Sequence, residues 1–149
     1  MISEVLKHNQ GRDLVTSSDI QFSADIFNEL IKIRMSTPLF RLTSAEDIIA
    51  RVKFHNTGKD QQPGLIVMSI DDAKQPKELD KNIEQLVVIF NTSTETRTFA
   101  YSGAENFSLH PVQLQSRDRQ VKASQANQNG FSVPALTTSV FIKPAPLTQ

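Results

Sequence analysis

The sequence predicts a mainly β protein, an antiparallel β-sandwich of about eight strands preceded by one amphipathic α-helix. Apolar residues recur with helical spacing over residues 18–35, and beyond about residue 52 the pattern changes to a period of two. The later segments are short, rich in β-branched and aromatic residues, and separated by turn sequences. No alternating helices are available to cover a parallel sheet, so a sandwich is favoured. A chain of 149 residues is long enough for one domain with its own core.

The predicted helix ends before Pro38, because proline cannot donate a backbone N–H. Ser18 or Ser23 could cap its start, since a serine hydroxyl accepts from the first free N–H groups. Its apolar stripe consists of Phe22, Ile26, Phe27, Leu30, Ile31 and Ile33. A second, shorter helical turn is predicted at residues 44–52, where Ser44 precedes Asp47 by three residues, a capping-box spacing.

Eight segments are predicted to be strands. They are residues 52–55, 65–70, 85–91, 96–101, 107–112, 120–124, 131–135 and 139–143. Hairpin-length turns at residues 92–95 and at Asn129-Gly130 indicate that neighbouring strands are mostly antiparallel. The segments 65–68 and 86–90 are apolar throughout, so both faces of these strands need a cover. Either the helix and a loop supply that cover, or another domain does.

Composition excludes several classes of function. Lys plus Arg number 16, as do Asp plus Glu, so no net charge attracts nucleic acid or an anionic membrane. The apolar runs are far shorter than a membrane helix needs. The chain has no cysteine, and its three histidines lack the spacing of a metal site. We therefore expect no metal, no cofactor, no nucleic acid and no membrane as partners.

Catalytic signals are also missing. The sequence lacks the G-x-S-x-G, G-x-x-x-x-G-K-[ST] and G-x-G-x-x-G motifs of hydrolases and nucleotide-binding proteins. Asp71 and Asp72 are adjacent and precede a polar stretch, so we interpret them as a solvated turn rather than as a glycosidase carboxylate pair. Tyr101 is the one tyrosine and there is no tryptophan, which leaves Tyr101 as a weak candidate for stacking on a sugar.

Several sequence segments occur in the same order as similar segments in a known protein family. They are residues 33–42 (IRMSTPLFRL), 51–58 (RVKFHNTG), 60–70 (DQQPGLIVMSI), 79–82 (LDKN), 87–91 (VVIFN), 107–113 (FSLHPVQ), 131–135 (FSVPA) and 137–141 (TTSVF). Together they resemble the C-terminal portion of pullulanase-type α-1,6-glucosidases, over about residues 20–143.

That resemblance implies a debranching enzyme of glycoside hydrolase family 13, which cleaves α-1,6 links in pullulan, starch or glycogen by a retaining mechanism. The carboxylates of the family lie on a (β/α)8 barrel, whose strands are not among these 149 residues, so no catalytic residue is carried over. The implied division is an irregular lead-in at residues 1–17, a helix and connector at 18–43 that resemble the end of the barrel, and a C-terminal β-sandwich at 44–149. We expect a non-catalytic accessory domain that stabilises and positions the barrel.

The expected partner is therefore the catalytic barrel of a parent chain. The expected docking residues are Phe22, Ile26, Phe27, Leu30, Pro38, Leu39 and Phe40. Alternatively the helix folds back onto its own sandwich, and both arrangements can hold together. The second functional hypothesis is an α-glucan-binding module that uses Tyr101 and the loop at residues 56–62. An exposed docking face would also favour self-association. The compartment stays open, with a secreted or cell-envelope location considered for the parent enzyme.

Overall fold

The computed structural model describes residues 15–73 and 77–146, so most of the predicted lead-in lies outside the described residues. The helices are α1 (Ser17–Met35), α2 (Ala45–Arg51), α3 (Pro111–Leu114) and α4 (Arg119–Lys122), with 3-10 turns at Pro38–Arg41 and Ala104–Asn106. The strands are β1 (Val52–Phe54), β2 (Leu65–Asp71), β3 (Ile83–Asn91), β4 (Arg97–Phe99), β5 (Ser108–Leu109), β6 (Gln125–Asn127), β7 (Gly130–Val133) and β8 (Thr137–Pro144).

The strands form two antiparallel sheets, which confirms the predicted fold class. The larger sheet has the order β1-β2-β3-β8-β5 and the smaller one has the order β4-β7-β6. Within the larger sheet, β3 pairs along its length with β2 on one side and β8 on the other. The two apolar strands recognised in the sequence, β2 and β3, therefore lie in the interior of the larger sheet.

The main core fills the space between the two sheets. Val67 and Ile89 of the larger sheet belong to one buried cluster with Phe131 and Val133 of the smaller sheet. Phe131 and Phe141 pack with ring centroids 4.7 Å apart. We call the side of the larger sheet that carries Val67 and Ile89 its inner face, and the opposite side its outer face.

Two of the predicted strands are wrong in part. Residues 120–124 fall mostly in helix α4, which begins after Asp118 because that carboxylate accepts a hydrogen bond from the N–H of Gln120 at 2.8 Å. Residues 107–112 form only the two-residue strand β5. The chain then enters helix α3, where His110 is the N-cap and Pro111 occupies the first helical position, which suits proline's fixed φ.

Asp72 does not lie in a solvated turn, contrary to the prediction. Asp72 is 4% exposed, and its carboxylate accepts from the guanidinium of Arg51, itself 3% exposed, at 2.5 Å. The other carboxylate oxygen accepts from the N–H groups of Leu79 and Asp80, each at 2.8 Å. Arg51 also donates to the carbonyl of Lys77 at 2.7 Å. The ion pair therefore links residues 72 and 77–80, which lie between β2 and β3, to helix α2.

Candidate docking surface

Helix α1 begins with a capping box. The hydroxyl of Thr16 accepts from the N–H of Asp19, and the carboxylate of Asp19 accepts from the N–H of Thr16 at 2.8 Å. The cap is therefore Thr16 rather than either of the predicted serines. Hydrogen bonds from Thr16 lower the pKa of Asp19, which keeps a negative charge at the positive end of the helix dipole.

Two apolar stripes run along helix α1. One consists of Phe22, Ile26, Leu30 and Ile33, and the other consists of Ile20, Phe27, Ile31 and Met35. The first stripe ends on the sandwich, where Ile33 is 3% exposed, whereas Phe27 in the second stripe is 64% exposed. A helix that covers a single core needs one apolar side. Helix α1 is apolar on a second side that no described residue covers.

A buried histidine connects the end of helix α1 to the sandwich. The Nδ1 atom of His110 accepts from the N–H of Val112 at 3.2 Å, and its Nε2 atom lies 3.1 Å from the hydroxyl of Ser36. Ser36 donates to the carbonyl of Ile33 at 2.7 Å, so its oxygen is left to accept from Nε2–H. This arrangement needs a neutral ring, and burial lowers the pKa of His110 accordingly.

A charged contact holds the middle of the same helix. Arg117, in the segment between α3 and α4, forms an ion pair with Asp25 of α1, and its backbone N–H donates to Glu29 at 3.4 Å. The hydrogen bond from Arg117 is the main reason that the pKa of Asp25 is lowered, with a second contribution from Gln21. Helix α1 is thus attached along one side, through Asp25, Glu29 and its C-terminal turn.

The outer face of the larger sheet is covered unevenly. Strand register places Ile70, Leu86 and Ile142 in one row, and Leu39 from the 3-10 turn belongs to the same buried cluster. The adjacent row is Met68, Val88 and Val140, which packs with Ile33 and Phe40. The next row is Ile66, Phe90 and Thr138. In that third row Ile66 is 50% exposed and Phe90 is 37% exposed.

The uncovered part of this face forms a groove of about 260 Å³ beside helix α1. We call it the outer groove. Its lining residues are Leu30, Ile33, Arg34, Phe40, Met68, Val88, Phe90, Thr138 and Val140. Phe27 continues the helical wall of the groove, since it precedes Leu30 by three residues and Arg34 by seven, the spacing of one helical face. Ile66 and the exposed side chain of Phe54 on β1 extend the same apolar face.

Comparison with known proteins identifies the family. A family model described as "Alpha-1,6-glucosidases, pullulanase-type, C-terminal" matches residues 1–144. The chain belongs to this family. It is 41% identical over 135 residues to Pullulanase 1, chloroplastic, from Arabidopsis thaliana, covering 85% of this chain and 14% of that protein. It is 36% identical over 110 residues to pullulanase from Klebsiella pneumoniae, covering 73% of this chain and 10% of that protein.

Solved structures agree with this assignment. The apo pullulanase of Klebsiella pneumoniae superposes with a TM-score of 0.81 at 33% sequence identity, covering 89% of this chain and 15% of that chain. A pullulanase mutant from Paenibacillus barengoltzii has a TM-score of 0.58 at 18% identity, which shows a shared fold. The chain thus spans about one sixth or less of the length of these relatives.

In this pullulanase-type domain, the predicted docking residues do not all reach the surface. The prediction that Leu39 belongs to the docking surface is wrong, because Leu39 is fully buried in a cluster with Ile70 and Leu86 on the outer face of the larger sheet. The others are at least partly exposed: Phe22, Phe27, Leu30 and Pro38 are exposed, whereas Ile26 and Phe40 are half-buried. Sequence reasoning missed Phe54, Ile66 and Phe90. The signal for the last two was present, because both lie on strands that are apolar on both faces.

Tyr101 lies apart from the outer groove, on the inner side of the larger sheet. Its half-buried ring packs against His55, Phe107 and Phe131, with centroids 5.2 to 6.0 Å apart. Its hydroxyl accepts from the side-chain amide of Gln85 at 3.0 Å, and burial raises its pKa. These contacts account for the ring as part of the core edge, and its contact with a sugar stays a prediction.

Within residues 15–73 and 77–146, no group of histidine and acidic side chains is arranged to hold a metal ion. In the same part of the chain, no helix has the length and hydrophobicity to cross a bilayer. The exposed apolar side chains make the outer groove and the second stripe of helix α1 the candidate site of this domain.

Proposed function

We propose that this chain is a non-catalytic accessory domain that docks onto the catalytic domain of a pullulanase and thereby stabilises and positions it. The observation that supports the proposal best is the outer groove, which Phe90 lines, together with the adjoining side chains Phe27 and Ile66. These residues form a contiguous apolar surface, and such surfaces mark interaction sites, whereas scattered apolar residues are ordinary. Hydrolysis of α-1,6-glucosidic links is then the work of the preceding part of the parent polypeptide.

The proposal retains the division at residues 1–17, 18–43 and 44–149, with α1 as the end of a catalytic barrel. The two stripes of helix α1 suit this role, because one side can pack on a barrel while the other stays on the sandwich. The relatives are also long enough to contain a large domain before this one, since this chain covers only 10 to 14% of them. The third row of the outer face, Ile66 and Phe90, would be covered by the same contact.

A binding experiment tests the docking. The 149-residue chain is titrated by calorimetry into the part of its parent polypeptide that precedes it. The double variant Ile66→Ser/Phe90→Ser removes two partly exposed apolar side chains. Because docking would bury the exposed part of both, their removal is expected to weaken binding by about 2 kcal/mol, or about 30-fold in Kd. Ile49→Ser is the matched control, because Ile49 is a highly exposed apolar residue that does not line the outer groove.

The proposal fails if the double variant binds as tightly as the wild-type chain, or if the gene encodes no catalytic domain ahead of this one. A second measurement tests the non-catalytic role. Reducing sugar released from pullulan by the purified chain is expected to equal that of a mock preparation. Release above the mock level would show that the chain carries catalytic groups of its own.

A further inference from the structure

Arg34 is the one charged side chain among the residues that line the outer groove, where Thr138 is the other polar residue. Arg34 is an exposed residue of helix α1, and the apolar residues Leu30 and Phe40 line the same groove. Among the described residues, the side chain of Arg34 has no hydrogen-bond or ion-pair partner. Within residues 15–73 and 77–146, the wall of this apolar groove therefore carries a cation without a partner.

Two ordinary reasons can explain an arginine at this position in the isolated domain. Arg34 lies in the last turn of α1, where a positive charge interacts favourably with the helix dipole. Its aliphatic stem can also cover apolar surface while the guanidinium stays in water. Lys32 occupies the same last turn, so the dipole effect applies equally to both residues. Only Arg34 faces the groove.

Docking changes the surroundings of Arg34. A surface that covers the groove also removes water from the guanidinium, and an arginine cannot relieve that cost by losing its proton. An unpaired buried charge is strongly unfavourable, whereas a carboxylate in hydrogen-bonding geometry compensates it. The planar guanidinium is well suited to a two-point contact with such a carboxylate.

We infer that the catalytic domain of the parent polypeptide presents an aspartate or glutamate carboxylate to Arg34 at the centre of an apolar contact. This inference rests on the proposed docking function. The occupant is the preceding part of the same polypeptide, because relatives of this domain carry most of their length outside the matched segment. The ion pair would select the correct docking geometry, since an apolar surface without a carboxylate would leave Arg34 desolvated and unpaired.

The experiment compares three variants in the calorimetric titration described above. Arg34→Met keeps an unbranched side chain but removes the charge, Arg34→Lys keeps the charge, and Lys32→Met removes a charge from the same helical turn without touching the groove. Removing one partner of a desolvated ion pair is expected to raise Kd about 30-fold or more for Arg34→Met. Lys32→Met is expected to stay within about twofold, and Arg34→Lys to recover part of the lost affinity. Far-UV circular dichroism checks that each variant is folded.

The outcomes separate this inference from the docking proposal. If Arg34 only covers apolar surface, Arg34→Met binds with unchanged or higher affinity, because an uncharged side chain is easier to desolvate. That result, or equal losses for Arg34→Met and Lys32→Met, refutes the ion pair and leaves docking intact. If the wild-type chain itself does not bind, docking and ion pair are refuted together.

Discussion

Replacing Asp72 by asparagine tests the buried ion pair that holds the β2–β3 connection. The carboxylate has one oxygen on Arg51 and the other on two backbone N–H groups, those of Leu79 and Asp80. An asparagine has a single carbonyl oxygen, so it can serve one of these partners but not both. If it accepts from the backbone, its NH2 group faces the guanidinium, and donor then meets donor.

The size of the effect follows from the burial of the pair. Removing one partner of a buried ion pair costs about 3–5 kcal/mol, because the other charge is left uncompensated. Asp47 lies 3.2 Å from Arg51 and is partly exposed, so it compensates some of the remaining charge. We therefore expect the low end, about 3 kcal/mol for Asp72→Asn. For a domain of this size such a loss lowers Tm by roughly 6–12 °C.

Urea unfolding followed by far-UV circular dichroism measures this loss. Arg51→Met is expected to cost a similar amount, and the double variant to cost less than the sum of the two, since the residues share one interaction. Glu95→Gln is the control, because the Glu95–Arg97 pair is largely exposed and is expected to contribute less than about 1 kcal/mol. A loss below about 1 kcal/mol for Asp72→Asn, or additive single losses, would refute the reasoning.

Three further predictions concern other parts of the fold. Burial lowers the pKa of His110 in the folded state, so the unfolded chain binds a proton more readily at this residue. The free energy of unfolding is therefore expected to fall as pH decreases below about 6.5. His110→Asn, which can still cap α3, is expected to reduce that slope in urea titrations at successive pH values. Gly130→Ala is expected to destabilise the chain more than Gly58→Ala. Both glycines have positive φ, but only at Gly130 would a Cβ atom meet another atom, the carbonyl oxygen of Phe99 at 2.0 Å. Equal losses of Tm for the two variants would contradict this. Tyr101→Ala is expected to lower the free energy of unfolding by about 2–4 kcal/mol, because three rings lose their partner. Calorimetric titration of the wild-type chain with maltooligosaccharides is expected to show no saturation. Saturable binding that Tyr101→Ala abolishes would favour the glucan-binding hypothesis.

The regular elements were predictable because their signals are local. The apolar spacing in residues 18–35 gave helix α1 nearly to its ends, and the uninterrupted apolar runs gave β2 and β3. The short helices α3 and α4 were missed, although His110-Pro111 and Asp118 are cap and first-turn residues. A four-residue helix contains too little of the helical period for a pattern of apolar residues to show it.

The contacts that decide burial were not predictable, because they join residues far apart in the sequence. Arg51 and Asp72 are 21 positions apart, and nothing near Asp72 distinguishes a clamped carboxylate from one in a solvated turn. Likewise Leu39 was expected at the surface as part of an apolar string, but the 3-10 turn directs it into the outer cluster. The candidate docking surface was predictable in outline, since excess apolar residues on α1, β2 and β3 indicated it, but not the position of Arg34 in the groove.

The burial of Ile33 and Leu39 against the larger sheet has a consequence for how this domain is exchanged between proteins. A chain trimmed to begin at residue 44 would expose Val88 and Leu86, which are buried with those two side chains. The helix and connector therefore need to accompany the β-sandwich wherever Val88 and Leu86 are to stay buried as they are here. We propose that they form the end of a catalytic barrel, and their buried side chains also belong to the core of the sandwich that follows.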